Sequence, residues 1–153
     1  MNYQQQAIAG MNPVELIVAL YDGMVRFLYR AIQAIEAGDV RERRIAIKRT
    51  LDILMHLQSR LRMDVGGASA KALSEFYAAI FALSIEGSRL ASPERLKEAI
   101  DCIRDVREAW NFVAKDPEVL RFLAQEQAGQ AVRAASPPPS IPISGEVTSS
   151  WMA

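Results

Sequence analysis

The chain has 153 residues and 17.0 kDa, enough for one domain with a real core and too short for two ordinary ones. Apolar types make up 50% and charged types 24%, and 18 basic residues balance 18 acidic ones. That balance excludes an overall basic footprint for nucleic acid or an anionic membrane. One cysteine and one histidine exclude an internal disulfide framework and leave little for a metal site, so no cofactor is expected. No run of eighteen unbroken apolar residues occurs, so no membrane insertion is expected, and a reducing cytoplasm fits.

The first six residues, Met1-Asn2-Tyr3-Gln4-Gln5-Gln6, have neither the basic start nor the apolar run of a signal peptide. Residues 1–12 read as a flexible arm. Asn12-Pro13-Val14-Glu15 combines an N-cap, proline at the first helical position and glutamate at N3. Apolar residues then recur at helical spacing through Ile17, Leu20, Met24, Phe27, Leu28 and Ile35, and Gly38 supplies a left-handed stop. Asp39 and Glu42 open a second helix by the same box. Its expected core face is Val40, Ile47, Leu51, Leu54 and Leu61, and its expected end is near Asp64. Gly66-Gly67 breaks the chain. A third helix is expected from about Ala68 to Ala91. Ser92-Pro93-Glu94 caps a fourth, with core positions Leu96, Ile100, Ile103, Val106 and Trp110. Asp116-Pro117-Glu118 starts a short fifth segment. The prolines of Ser136-Pro137-Pro138-Pro139-Ser140-Ile141-Pro142 exclude helix, so residues 129–153 read as a Pro-rich disordered tail.

Short connections between helices of this length predict an all-α domain over residues 13–128, an antiparallel up-and-down four-helix bundle. The apolar arcs are wider than such a bundle needs. On a wheel, Glu15, Asp22, Arg26, Gln33 and Glu36 share one narrow sector of the first helix. The rest forms an apolar arc of roughly 200°, about twice one core stripe. The third helix repeats this, with Lys71, Glu75, Glu86 and Arg89 on one strip and Leu73, Phe76, Tyr77, Ile80, Phe81, Leu83, Ile85 and Leu90 around the rest. Such a surplus is either covered by the arm or fifth segment, buried against a second copy, or kept as a groove for an amphipathic partner helix. Which apolar face is core and which is groove stays open at this level.

Catalytic chemistry finds little support. His56 stands alone, Cys102 lies at the edge of an apolar stripe, and Gly66-Gly67 lacks the phosphate-loop pattern. The cluster Arg41, Arg43, Arg44, Lys48 and Arg49 reads as a solvated face, then as a contact for an acidic partner. A bundle enzyme binding a small anion through inward-pointing Arg107 and Arg26 is the alternative from another class.

Several segments resemble the FliS-type flagellar secretion chaperones. Tyr3-Gln4-Gln5 stands ten residues before Pro13, as in the family's arm. Asn12-Pro13-Val14-Glu15-Leu16 is similar to its helix start. Leu20-Tyr21-Asp22-Gly23-Met24-Val25-Arg26-Phe27-Leu28, the Gly66-Gly67 to Tyr77 segment and Val106-Arg107-Glu108-Ala109-Trp110 follow in its order. The resemblance runs from Tyr3 to about Trp110. It implies a cytoplasmic helical bundle, not an enzyme, that binds the disordered C-terminal segment of flagellin. It further implies that binding prevents early polymerisation and that the client passes to a component of the flagellar export gate. By position, Tyr3 and Ile8 would carry the arm's role at the gate. Asn12 in place of serine, Ala68-Ser69 after the glycines and the longer tail depart from the family pattern. With Tyr3 and Ile8, the candidate partner-binding anchors are Val14, Val18, Val25, Ile32, Ile53, Phe76, Leu83 and Ile85.

Overall fold

The computed structural model describes residues 12–61, 63–64, 66–118, 121 and 124–125. They form four α-helices, and among the described residues there is no strand: α1 (Pro13–Ala37), α2 (Val40–Ser59), α3 (Gly67–Arg89) and α4 (Pro93–Ala114). Residues 1–11 of the arm and the whole tail lie outside the described residues, as does most of the fifth segment.

Helix boundaries follow from local chemistry. At α1 the Asn12 side chain accepts from the Glu15 amide at 2.8 Å, and the Asn12 amide donates to Glu15 Oε2 at 3.2 Å. This closes the expected capping box. Gly38 ends the helix at φ 69°, and the Asp39 amide reaches back to the Ala34 carbonyl at 2.8 Å. Asp39 then caps α2 by accepting from the Glu42 amide at 3.0 Å. α2 stops at Ser59, five residues short of the expected end. The Arg60 and Leu61 amides donate to the carbonyls three residues back, which tightens the last turn and exhausts the helix. α3 begins at Gly67, which sits at φ 53°, and its N-terminus has no side-chain cap. Ser92 caps α4 through the Arg95 amide, with Pro93 in the first turn.

Each helix packs on its neighbours in sequence, and α4 closes back on α1. A helix of twenty residues is about 30 Å long. The connections 38–39, 60–66 and 90–92 are too short to cross that length at about 3.5 Å per residue, so neighbours run antiparallel. The adjacency is that of an up-and-down arrangement. Tyr21, Met24, Leu28, Ile80, Leu96, Ile100 and Ile103 are fully buried at its centre. Val40, expected in the core, is largely exposed: it is the first residue of α2 and precedes the level at which the helices converge.

Two close approaches depend on a missing side chain. A Cβ on Gly87 would lie 2.5 Å from Leu96 Cδ2, so α3 and α4 touch there only because residue 87 has none. A Cβ on Gly23 would meet Ile53 Cδ1 at 3.2 Å, where α1 crosses α2.

Candidate binding surface

An open, largely apolar groove of about 470 Å³ lies between α2 and α3. Leu54 and Tyr77, both buried, form its floor. Met55, 65% exposed, and Phe81, 40% exposed, form its walls with Ala78. Gln58, Ser59 and Ser74 line one end, where Gln58 Nε2 donates across to Ser74 Oγ at 2.8 Å. Ile85, one turn beyond Phe81 on α3, is 42% exposed and extends the apolar wall. A second cavity of about 330 Å³ opens under Ile17, Leu57, Leu61, Leu73 and Trp110.

The exposed wall makes α3 unusual. By length and composition it is apolar enough to cross a membrane, yet only 22% of its most apolar stretch is buried. The unbroken-run criterion applied to the sequence passes over it, because single polar residues interrupt the stretch. Its apolar residues divide between two sides: Ile80 faces the core while Phe81 and Ile85 stay open.

The expected anchors separate accordingly. Ile85 alone adjoins the groove. Val14 and Ile32 are buried, at 4% and 5% exposure, and in this packing offer a partner no surface. Ile53, expected as an exposed anchor, is partly buried against the core beneath Gly23. Phe76 and Leu83 are half-buried on the core. The Phe76 ring stacks at a tilt on Tyr77, 5.5 Å between centroids. Val25 is half-buried between α1 and α4, and Val18 is half-buried on α1. Tyr3 and Ile8 lie outside the described residues. Sequence reasoning missed Met55, which the wheel leaves among the charges of α2. The only signal available was its place one position after Leu54; that it faces the same gap as Phe81 follows from the packing of α2 on α3.

The segments that carry the family resemblance do something else. Tyr21 and Tyr77 share a hydrogen bond of 2.8 Å between hydroxyls, and Trp110 Nε1 donates to the Tyr21 hydroxyl at 3.1 Å. Three helices thus meet at one buried polar point. Desolvation by burial raises both phenols above their ordinary range, most strongly at Tyr77, whose bond to Tyr21 adds to the effect. One residue along, Arg107 Nε donates to Asp22 Oδ1 and Nη2 to Oδ2 at 3.2 Å, a two-pronged pair between α4 and α1. That hydrogen bond also raises the Arg107 pKa. Tyr21-Asp22-Gly23 and Arg107-Glu108-Ala109-Trp110 therefore clamp the helices together.

This placement corrects the enzyme alternative. Arg107 is already neutralised by Asp22, and Arg26 is exposed. The cleft beside Arg107 carries Asp22, Asp105 and Glu108 against Arg104 and Arg107, which repels an anion rather than gathering one. Burial raises the Cys102 thiol, helped by Glu98, Asp105 and Asp101, which disfavours the nucleophilic thiolate. His56 is exposed on α2. Among the described residues no cluster of histidine, cysteine and carboxylate side chains could hold a metal ion.

The described residues thus form an all-helical body with an open apolar groove and a polar cluster that serves packing. Comparison with known proteins places it more narrowly. The family model described as Flagellar protein FliS matches residues 1–117, so the chain belongs to the FliS family. It is 32% identical over 117 residues to the flagellar secretion chaperone FliS of Campylobacter jejuni, covering 76% of this chain and 91% of that protein. The Vibrio cholerae chaperone of the same name is 25% identical over 119 residues, 78% of this chain and 86% of its own. That of Salmonella typhimurium is 26% identical over 111 residues, 72% and 82%. The family is one of chaperones, not of enzymes. Residues 118–153 fall beyond the family match.

Proposed function

We propose that this chain is a cytoplasmic export chaperone. It binds the disordered C-terminal segment of flagellin, keeps it from polymerising early and delivers it to a component of the flagellar type III export gate. The observation that carries the reading is the groove between α2 and α3, with Met55 and Phe81 exposed on either side of a buried floor. An amphipathic client helix would bury these residues through anchors spaced i, i+3, i+4 and i+7. Burial of apolar surface offsets the entropy that a disordered segment loses on ordering, and leaves a negative heat-capacity change as its signature. Ile85 extends this surface; Val18 and Val25 on α1 belong to a wider one that a client wrapping the body would cover. The arm, through Tyr3 and Ile8, is the element assigned to the export gate.

Calorimetric titration with the C-terminal segment of flagellin tests the reading. Binding with a negative heat-capacity change and a gain of helicity is expected. Phe81→Glu places a charge on the groove wall, where burial without a partner is costly, and should weaken binding by at least about tenfold. Phe81 is 40% exposed, so the fold should survive the substitution. An absence of heat at tens of micromolar, or full affinity in the variant, would refute the assignment. Sedimentation of the free chain distinguishes this use of the groove from self-association.

A further inference from the structure

The two ends of the groove differ in charge, and the difference gives a bound helix a direction. The register follows from one bond. Gln58 donates to Ser74 across the groove, and α2 and α3 run antiparallel with the same rise per residue. Residues ten positions from that bond, Lys48 and Ser84, are therefore level, and so are Arg44 and Ser88. On α2, Arg44, Lys48, Leu51, Met55 and Gln58 follow the three-and-four spacing of one face, and Met55 and Gln58 line the groove. On α3, Phe81, Ile85 and Arg89 do the same, with Arg89 in the last turn.

About two to three turns past Phe81 and Leu54, where the lining of the groove stops, the same two faces carry Lys48 and Arg44 on one side and Arg89 on the other. All three are exposed. Arg44 and Arg89 have no acidic partner among the described residues, and Lys48 reaches Asp52 only at 3.7 Å with both side chains largely in water. Glu86, the nearest acid on α3, turns to α4 and pairs with Arg95 at 3.5 Å. The opposite end is lined by uncharged Gln58, Ser59 and Ser74, the flanking Lys71 and Glu75 cancel, and Arg60, next along, lines the neighbouring cavity under Trp110 instead. Fifteen residues of α3 separate Ser74 from Arg89, about 22 Å, or roughly four turns of a docked helix.

We infer that the groove takes an amphipathic partner helix in one orientation, with its acidic end beside Arg44, Lys48 and Arg89. The inference rests on the groove being the client site. Apolar anchors along Met55, Phe81 and Ile85 supply affinity without direction, because a helix stripe reads similarly either way. The three cations supply direction and accelerate encounter, as charges at the rim of an interface do. The helix dipole accounts for Arg89, in the last turn of α3, but not for Arg44 and Lys48, which lie in the N-terminal half of α2 where it offers a cation nothing.

Two synthetic amphipathic peptides with one shared apolar stripe test this on the full chain. One carries glutamates at one end of its polar face, and the other carries glutamine throughout. The glutamate peptide should bind about tenfold tighter at low salt, the sum of three partly exposed ion pairs. The advantage should fade as salt rises and vanish in the Arg44→Gln/Lys48→Gln/Arg89→Gln chain. A nitroxide on the glutamate end should broaden the Ile85 methyl resonance more than that of Met55. Equal affinities, an advantage that survives in the triple variant, or equal broadening would overturn the inference. Titration with the flagellin segment is read separately. If flagellin binds while the peptides rank equally, the orientation fails and the chaperone reading stands; if only the peptide ranking appears, the reverse holds.

Discussion

Replacing Tyr21 by phenylalanine removes one oxygen from the point where α1, α3 and α4 meet. The ring still fills its site, so no cavity enters the accounting. Two groups lose their partner: the Tyr77 hydroxyl, on a residue 3% exposed, and Trp110 Nε1, on a residue that water partly reaches. A buried hydroxyl left without a hydrogen bond costs about 1–3 kcal/mol, and the indole N–H lies at the low end of that range. Tyr21→Phe should therefore destabilise by about 2–3 kcal/mol. Tyr77→Phe removes only one bond, and the Tyr21 hydroxyl still accepts from Trp110. Its cost should stay near 1 kcal/mol. Urea titrations followed by far-UV circular dichroism measure both, and with a slope of about 2 kcal/mol/M the first variant should move the midpoint down by about 1 M. At low denaturant it should bind the flagellin segment as well as the parent does, because Tyr21 is fully buried and lines no part of the groove. A Tyr77→Phe cost equal to or above that of Tyr21→Phe would refute the reasoning. So would a Tyr21→Phe variant of parental stability that cannot bind.

Gly87→Ala should destabilise even though alanine is the better helix former by about 1 kcal/mol. The added methyl must displace fully buried Leu96, and overpacking of this kind costs about 1–3 kcal/mol. Thermal unfolding of this variant and of Gly87→Ala/Leu96→Ala checks the cause, since trimming Leu96 should abolish the penalty of the methyl. Alkaline pH should weaken the fold through Tyr21 and Tyr77. Burial raises both folded-state values above the ordinary 10.0, so the folded chain keeps protons that the unfolded chain gives up. Their stabilisation is complete below about pH 10 and is lost as pH rises beyond it toward the folded values, at up to about 1.4 kcal/mol per pH unit for each tyrosine. Urea midpoints above pH 10 should fall more steeply in the parent than in Tyr77→Phe.

The helix ends were the most legible part of the chain, because caps are local chemistry. Asn12 with Glu15, Gly38, and Ser92 with Pro93 each act within a few residues of their position. The end of α2 was misjudged because Leu61 keeps the apolar period after the backbone has tightened and left the helix. The excess of apolar surface on α3 was legible too. Its address was not: a wheel shows that Phe76, Phe81, Leu83 and Ile85 spread over a wide arc, but not which neighbour each one faces. That depends on where α2 and α4 stand, a tertiary fact. For the same reason Val14, Ile32 and Ile53 look like surplus on a wheel and prove to be packed. The clamp of Tyr21, Asp22, Arg107 and Trp110 joins segments more than eighty residues apart in sequence, a pairing that no local pattern reveals.

α3 is the helix whose N-terminus lacks a side-chain cap; α1, α2 and α4 each have one. A missing cap leaves the first turn about 1 kcal/mol less secure, so its amides should exchange with solvent sooner than those of the other helix starts. That turn leads directly into the groove wall at Ser74 and Ala78. One side of the groove can therefore loosen at its start while the clamp among α1, α3 and α4 stays shut. Under the proposed role, a little rigidity given up at one helix end would let the groove tolerate sequence change in its client.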